Sequence, residues 1–527
     1  MKVNVSDLVR DAAERNPDGT ALVEHRPDRR QLTWRQLDDA VDRFARGLSG
    51  RGLVAGQRVA IVMANRIDLP IAYFGILRGG MVAVPINPRS APREVSRMLA
   101  DSAARVVLAD EAGIKYVRVA VDHVEDDQRR PDVVVDGAGL SLREGETAFE
   151  EFLAEATGTA PAAPQDPETP AVILYTSGTS GRPRGAVLSH RALLANIEQI
   201  ASLENLPVGP DDVVLGLLPL FHVYGLNAIL GQAVRQGAPV VMVDGFDPAG
   251  LLGLIESEGV TNVPLAPPVV AAWAGRDDLR SSLAGVRTVL SGAANLDPDL
   301  AEAFYESSGH WIEQGYGLTE ASPVIAVTLA SDRDAAQEPP KAGSVGRVIP
   351  GVEVRIVEAD GTPAADGDPA QIWVKGANLF SGYWPDGEDG PDEDGWYPTG
   401  DIGLLDEDGD LMIVDRIKEL VIVSGFNVYP TEVEDVIAEV NGVVQVAVVG
   451  QPDAETGEAV IAFVEVADGS DENVVREAID AQCRTRLARF KQPARIVVVN
   501  GLPRSATGKI EKGRLRALAR SEDLGLQ

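Results

Sequence analysis

Cysteine is all but missing: Cys483 stands alone among 527 residues. A single thiol excludes an internal disulfide and any cysteine-built metal site, and it suits a reducing compartment, so the cytoplasm is the expected location. Lysine is scarce too. Only eight of the 48 basic residues are lysines, set against 80 acidic residues, and the net charge of −32 disfavours nucleic acid as a partner. An Asp-rich, Lys-poor surface suits high salt, but a GC-rich genome would equally exchange Lys for Arg, so a salt-adapted host stays an open reading. No apolar run reaches the roughly 18 residues that would suggest an integral membrane segment. The N-terminus, MKVNVSDLVRDAAERNPDG, lacks the apolar stretch of a secretory signal. Of the five histidines, His25, His123, His190 and His310 show no ligand spacing, so no zinc site is expected.

What is present is organised. The length calls for several packing units. Between residues 30 and 110, amphipathic segments such as LTWRQLDDAVDRFARGL alternate with short apolar runs such as VAIVMA, MVAVPI and RVVLAD, a pattern of βαβ units around a largely parallel sheet. Alternation resumes through about residue 330 after a Pro/Ala-rich connector at 158–170. From about 343 to 415, short strands with Gly/Asp turns indicate a β-rich subdomain. A small unit beyond 418 mixes helices (TEVEDVIAEV, and 472–490) with strands (VVQVAVVG, VIAFVEVA, ARIVVVN). The expected class is therefore multidomain α/β. Residues 1–415 would form a large N-terminal domain with doubly wound sheets, residues 416–418 a hinge, and 419–527 a small mobile α+β domain.

The densest chemical signal is YTSGTSGRPRG at 175–185, with three glycines and four Ser/Thr hydroxyls directly after the apolar run 171–174. Glycines let successive N–H groups converge on one anion, hydroxyls add donors and Arg184 adds charge, so the loop suits a polyanion such as a nucleotide triphosphate. It is not a Walker A loop, because no Gly-Lys-Ser/Thr follows. A flexible Gly/Ser linker is the bland alternative, but the strand before it and the helix-like RALLANIEQI after it favour a built turn. The acidic run PDGEDGPDED at 385–394 reads most simply as a solvated turn.

Six further blocks follow in order: PLFHVYG (219–225), SGAANL (291–296), GYGLTEASP (315–323), WYPTGD (396–401), DRIKELVIVSGFNVYPTEVE (415–434) and PRSATGKI (503–510). With these, nearly the whole chain resembles the adenylate-forming superfamily, and most of all the bacterial AMP-forming fatty acyl-CoA synthetases. The resemblance implies ATP and coenzyme A as co-substrates, Mg²⁺, and a small-molecule carboxylic acid, and it allows a homodimer. Carboxylates do not acylate thiols at neutral pH because oxide is a poor leaving group. Transfer to AMP corrects this, chiefly by positioning and charge neutralisation.

By resemblance, Thr176, Ser177, Gly178, Thr179, Ser180, Gly181 and Arg184 hold the β- and γ-phosphates. Glu320, beside Thr319, holds Mg²⁺, a hard cation that needs oxygen ligands. Tyr316 stacks on adenine, with Gly292, Ala293 and Ala294 on the other side and Gly315, Gly317 and Leu318 completing the turn. Asp401 and Arg416 meet the ribose, and His222 borders the carboxylate site. Lys509 bridges the substrate carboxylate and the α-phosphate, Lys418 is the hinge, and the surface near Gly425 admits the CoA thiol. Bland alternatives are core packing for Tyr316 and His222 and solvated surface for Glu320 and Lys509.

The family usually has Lys at Arg184, so charge survives there but ammonium geometry does not. Several readings of the activity remain open: a fatty-acid ligase, an aryl- or short dicarboxylate-CoA ligase in which Arg235 could meet a second carboxylate, an acyl-AMP ligase feeding a carrier protein in trans, and a catalytically silent nucleotide-binding regulator. The apolar stretch LLPLFHVYGLNAILGQAV suits either an acyl tunnel or core packing.

Overall fold

The computed structural model describes the chain apart from residues 1–2, 26–28, 125–129, 138, 155, 157–165, 178–182, 293–295, 332–337, 417–418, 424–425, 454–455, 468, 505–508 and 524–527. Two compact units emerge: residues 1–354 with 374–397, and residues 355–373 with 398–527. The expected class holds, a mixed α/β chain with a large N-terminal and a smaller C-terminal part. By compactness, 398–415 group with the second unit, whereas the expected division falls at 416–418.

The first unit carries two large sheets. Seven strands run in the order Glu146–Ala148, Asp132–Val135, Val106–Ala109, Arg58–Val62, Val82–Pro85, Pro170–Ser177 and Pro183–Ser189. All pairings are parallel except the last, so helices must cross over between strands. The helix Trp34–Gly50 starts where the sequence dictates. Thr33 accepts from Gln36 N while the Gln36 side chain accepts from Thr33 N, a reciprocal cap worth about 1 kcal/mol. Its apolar face, with Leu37, Val41, Phe44 and Leu48, is wholly buried, and each such side chain contributes about 1.5–3 kcal/mol.

Nine strands form the second sheet, in the order Arg347–Val348, Val324–Val327, Ile312–Gly317, Thr288–Ser291, Asn262–Leu265, Val214–Gly216, Val240–Met242, Thr20–Glu24 and Arg30–Thr33. The early strand Thr20–Glu24, antiparallel to Arg30–Thr33, pairs with a strand more than two hundred residues away, in the register Leu22↔Val240. His190 lies under the N-terminal segment, where its Nδ1 accepts from Val5 N at 3.2 Å. Burial pushes it down to about 4, so it is a neutral core histidine.

At the strand ends of the seven-stranded sheet lies a buried ionic network. Asp110 and Asp136 follow neighbouring strands, joined by Glu24 and by Asp68 at the start of the helix Asp68–Arg78. Arg66 Nε lies 3.7 Å from Glu24 and 3.6 Å from Asp136, and Arg30 reaches Asp68 at 2.6 Å. Ala64 N and Gly113 N donate to Asp110.

A four-stranded sheet has the order Val352–Val357, Ala370–Gly376, Trp396–Leu405 and Leu411–Arg416. In the second unit, the long antiparallel pair Val443–Asp453 and Gly457–Val466 is extended by the parallel strand Arg495–Val499. The helix Pro430–Ala438 packs on it, as does Glu472–Arg486 through Val475, Ile479 and Cys483. The expected helix to 490 stops at Arg486 because Leu487 turns extended (φ −112°, ψ 143°). Among the described residues no helix is long and apolar enough to cross a membrane.

Candidate active site

Parallel strands of an α/β sheet offer ligands their carboxyl ends. On the nine-stranded sheet those ends lead directly into three of the conspicuous blocks. Strand Val214–Gly216 runs on towards His222, Thr288–Ser291 ends at Gly292, and Ile312–Gly317 leads to Glu320. The register Ser291↔Gln314 sets Gly292 and Gly315 at adjoining strand ends. Ala293 and Ala294 lie outside the described residues.

Tyr316 and Gly317 close the strand, and Leu318 N donates to Pro323 O at 3.1 Å, folding residues 318–323 into a tight turn. Thr319 and Glu320 form a short 3₁₀ turn within it, and Glu320 is 9% exposed. Among the described residues no lysine or arginine pairs with this carboxylate; Tyr383 donates its hydroxyl to Oε1 at 2.5 Å. An acid so buried, with a neutral partner and no counter-charge, fits a bound cation. No group of three or more His, Cys, Asp or Glu that could hold a metal occurs among the described residues. A single buried carboxylate suits Mg²⁺, which commonly takes one or two and completes its shell with water and substrate phosphates.

The strands on either side of the glycine loop pair antiparallel. Tyr175 pairs with Gly185, Thr176 with Arg184 and Ser177 with Pro183, so both flanks of the loop are strand and not linker. Gly178, Thr179, Ser180 and Gly181 fall outside the described residues. Arg184 stacks its guanidinium 3.8 Å above the centre of the Tyr383 ring and pairs with Asp389 at 2.7 Å. The acidic run 385–394 is thus mostly solvent-facing, as its composition indicates, but one of its carboxylates faces the cation expected to meet phosphate. Burial, then the Glu320 charge, keep the Tyr383 hydroxyl protonated far above neutrality, and burial leads in pushing Tyr397 up to about 12. Tyr383 is therefore a hydrogen-bond donor at physiological pH.

The apolar stretch around His222 contains a π-helix, Tyr224–Gly231, rather than an ordinary helix. Its i→i+5 bonding widens the turn, a feature frequent at functional sites. A Cβ at Gly225 would come within 2.4 Å of Pro219 O, so only glycine fits. Half-buried His222 accepts from Tyr224 N at Nδ1 (3.3 Å), which puts the proton of the neutral ring on Nε2. The Tyr224 ring lies where a Cβ on Gly292 would be, 2.9 Å from its nearest atom. Asn227 donates to Ser322 O at 2.7 Å, tying the π-helix to the turn that carries Glu320. Arg235 already has a carboxylate partner, Glu198, which holds it through two bonds of 2.7 and 2.9 Å.

In the second unit, Asp401 is buried on the strand Trp396–Leu405, opposite Arg416 in register, with Asp401 N donating to Thr399 Oγ1. The side chain of Arg416 lies outside the described ones, as do Lys418 and Gly425. Lys509 is exposed, next to Ile510, which bridges to Arg504. The structure thus gathers Arg184, Glu320, Thr319, Tyr316, Gly292 and His222 on elements of the first unit.

Sequence reasoning passed over Tyr383, Tyr224, Asp389 and Asn227. A signal existed for Tyr383: it and Trp384 are adjacent aromatics immediately before an acidic turn, outside any helical or alternating pattern.

Strand ends that present a strand pair flanking a glycine-rich segment, a stacked arginine and a buried carboxylate with no lysine or arginine paired to it among the described residues have the layout of a nucleotide-using α/β enzyme. Comparison with known proteins narrows the class. The sequence profile of the AMP-binding enzymes matches residues 9–384 and that of their C-terminal domain matches 432–509; the chain belongs to this family and is an AMP-forming acyl-CoA synthetase. It is 35% identical to 4-coumarate–CoA ligase 5 of Oryza sativa subsp. japonica, over 92% of this chain and 89% of that protein. It is 32% identical to a long-chain-fatty-acid–CoA ligase of Salmonella typhimurium, over 98% and 94% respectively. Its fold is similar to that of ATP-bound MatB from Rhodopseudomonas palustris, with a TM-score of 0.88 and 28% identity over 99% of this chain and 100% of that one.

Proposed function

We propose that the chain activates a monocarboxylic acid with an apolar tail, a fatty acid in the first place, and passes it to coenzyme A. The observation that carries this reading is the occupied Arg235: the one cation that the sequence offered to a second carboxylate is bound by Glu198, beside the buried, apolar π-helix. A dicarboxylate is thereby disfavoured. The rice 4-coumarate ligase favours a second reading, an aryl acid entering the same site.

In the first half-reaction a carboxylate oxygen of the acid attacks the α-phosphorus of ATP, the bond to the β-phosphate bridge breaks, and pyrophosphate leaves. In the second, the CoA sulfur attacks the carbonyl carbon, the thiol proton is lost, and AMP departs with the bonding pair. In this reading the segment 175–185 and Arg184 hold the departing phosphates. Glu320 would hold Mg²⁺, which offsets phosphate charge when bound. Tyr316 and Gly292 flank the base, Asp401 and Arg416 take the ribose, and His222 borders the entering acid. Lys509, a cation on a turn, bridges carboxylate and α-phosphate. Lys418 is the pivot that lets one site serve both steps, with CoA entering near Gly425.

A panel of fatty, aryl and dicarboxylic acids, assayed for AMP and pyrophosphate release with and without CoA, tests the proposal. Preference for fatty acids with CoA-dependent AMP release is expected. A winning aryl acid selects the second reading, adenylate that accumulates despite CoA indicates a ligase feeding a carrier, and no turnover with any acid overturns the activity. Lys509→Ala should lose adenylation yet keep thioester formation from preformed acyl-AMP; equal loss of both would remove Lys509 from its role.

A further inference from the structure

Residues 379–397 of the first unit form a strap across the strand pair that flanks the glycine loop. Val187 N donates to Gly382 O (3.0 Å), Ser381 N to Val187 O (2.9 Å) and Trp384 N to Gly185 O (2.8 Å). Phe380 N donates to the backbone oxygen of Glu320 (2.8 Å), so the strap also grips the 3₁₀ turn. Gly382 adopts φ +97°, and a Cβ there would meet Gly387 O at 2.0 Å, so the strap doubles back where only glycine can. Trp384 Nε1 fastens the far side to Asp101 O at 2.9 Å.

The strap fixes Tyr383 on every side. Its backbone N donates to Glu388 O and its carbonyl accepts from Gly387 N. Phe380 meets its ring edge-on at 5.1 Å and does the same to Tyr397, whose hydroxyl lies 3.5 Å from that of Tyr383. From this one clamped ring, the hydroxyl reaches Glu320 at 2.5 Å and the face carries the Arg184 guanidinium at 3.8 Å. A hydrogen bond to a carboxylate and a cation over a ring face are each directional, so a fixed ring fixes both charges.

We propose that Tyr383 is a positioning residue that sets the Glu320 carboxylate for the divalent cation and the Arg184 guanidinium for phosphate. The proposal rests on the reading of Glu320 and Arg184 given above. It separates the two duties by atom: the hydroxyl serves the metal side, and the ring serves the phosphate side.

The test compares Tyr383→Phe, Tyr383→Leu and Glu320→Gln by calorimetric titration with ATP, in EDTA and across a Mg²⁺ series, together with the Mg²⁺ dependence of pyrophosphate release. Tyr383→Phe keeps the ring. It should bind ATP in EDTA like the wild type but need roughly tenfold more Mg²⁺ to reach half effect, the scale of one hydrogen bond to a charged group. Tyr383→Leu should in addition bind ATP more weakly in EDTA. A Mg²⁺ midpoint in Tyr383→Phe that is unchanged or lower, while Glu320→Gln shows a raised one, overturns the positioning role alone. An unaltered Mg²⁺ response in Glu320→Gln overturns the reading of the site and the proposal with it. Thermal unfolding of Tyr383→Phe serves as the structural control: a lowered midpoint with wild-type Mg²⁺ and ATP binding assigns Tyr383 to the fold only and overturns the proposal.

Discussion

Two places in the first unit bury carboxylates, and they treat them oppositely. Around Arg66, four buried acids (Glu24, Asp68, Asp110 and Asp136) face two arginines and a set of backbone N–H donors. Around Glu320, a tyrosine hydroxyl supplies the hydrogen bond, and among the described residues no cation pairs with it. A buried acid costs several kcal/mol unless it is compensated. The first network meets most of its charge with its own arginines and N–H donors, and a proton on Asp136, raised to about 7, offsets more of it. The second leaves its charge for something that arrives with the substrate, and that asymmetry marks it as the site where charge will be exchanged.

The contrast can be broken most sharply by a pair of substitutions. Glu320→Gln should lower kcat/KM for pyrophosphate release by roughly a hundredfold or more, with little change in urea unfolding. If it instead unfolds the protein and spares turnover of the folded fraction, the two regions are alike and the contrast fails. Arg66→Met should do the reverse. Leaving Glu24 and Asp136 without their arginine should cost about 3–5 kcal/mol of stability, read from the urea midpoint, while the folded protein keeps its ATP affinity.

The smallest expected effect concerns pH. Burial first, then the Asp68 charge, push Asp136 up to about 7 against the pull of Arg66, with Asp110 adding to the rise and Arg30 opposing it. A carboxyl raised above its unfolded value binds its proton more tightly in the fold. Its stabilisation is complete below the unfolded pKa of about 4 and is lost as pH rises through about 7. Asp136→Asn lacks that slope, so between about pH 5 and pH 8 the wild type should lose urea resistance relative to the variant. Parallel stability curves for the two proteins would remove Asp136 from the titration.

Much of the fold was legible because its causes are local. The helix Trp34–Gly50 follows from a 3.6-residue apolar period and a Thr33/Gln36 cap. The strands Val82–Pro85 and Val106–Ala109 follow from short apolar runs bounded by turns. The strand Pro183–Ser189 was less legible, since its pairing depends on what lies beside it. So was the π-helix, because its apolar residues read equally as tunnel wall or core and nothing local signals a widened turn. Arg235 shows the same limit. Its charge was visible in sequence, but its partner Glu198 lies 37 residues away on the helix His190–Ala201.

By itself, the sequence determined the class of chemistry, because the glycine-rich loop, the TEA turn and the ordered blocks are short and each carries its own chemical meaning. It also determined most helices, since caps and periodicity act within a few residues. Only the tertiary structure decided how the charges are set. Tyr383 and Glu320 are 63 positions apart, and Arg184 lies on yet another segment. A hydroxyl meeting a carboxylate at 2.5 Å and a guanidinium meeting a ring at 3.8 Å depend on the strap being laid over the strand pair, a matter of long-range backbone pairing that no local pattern encodes.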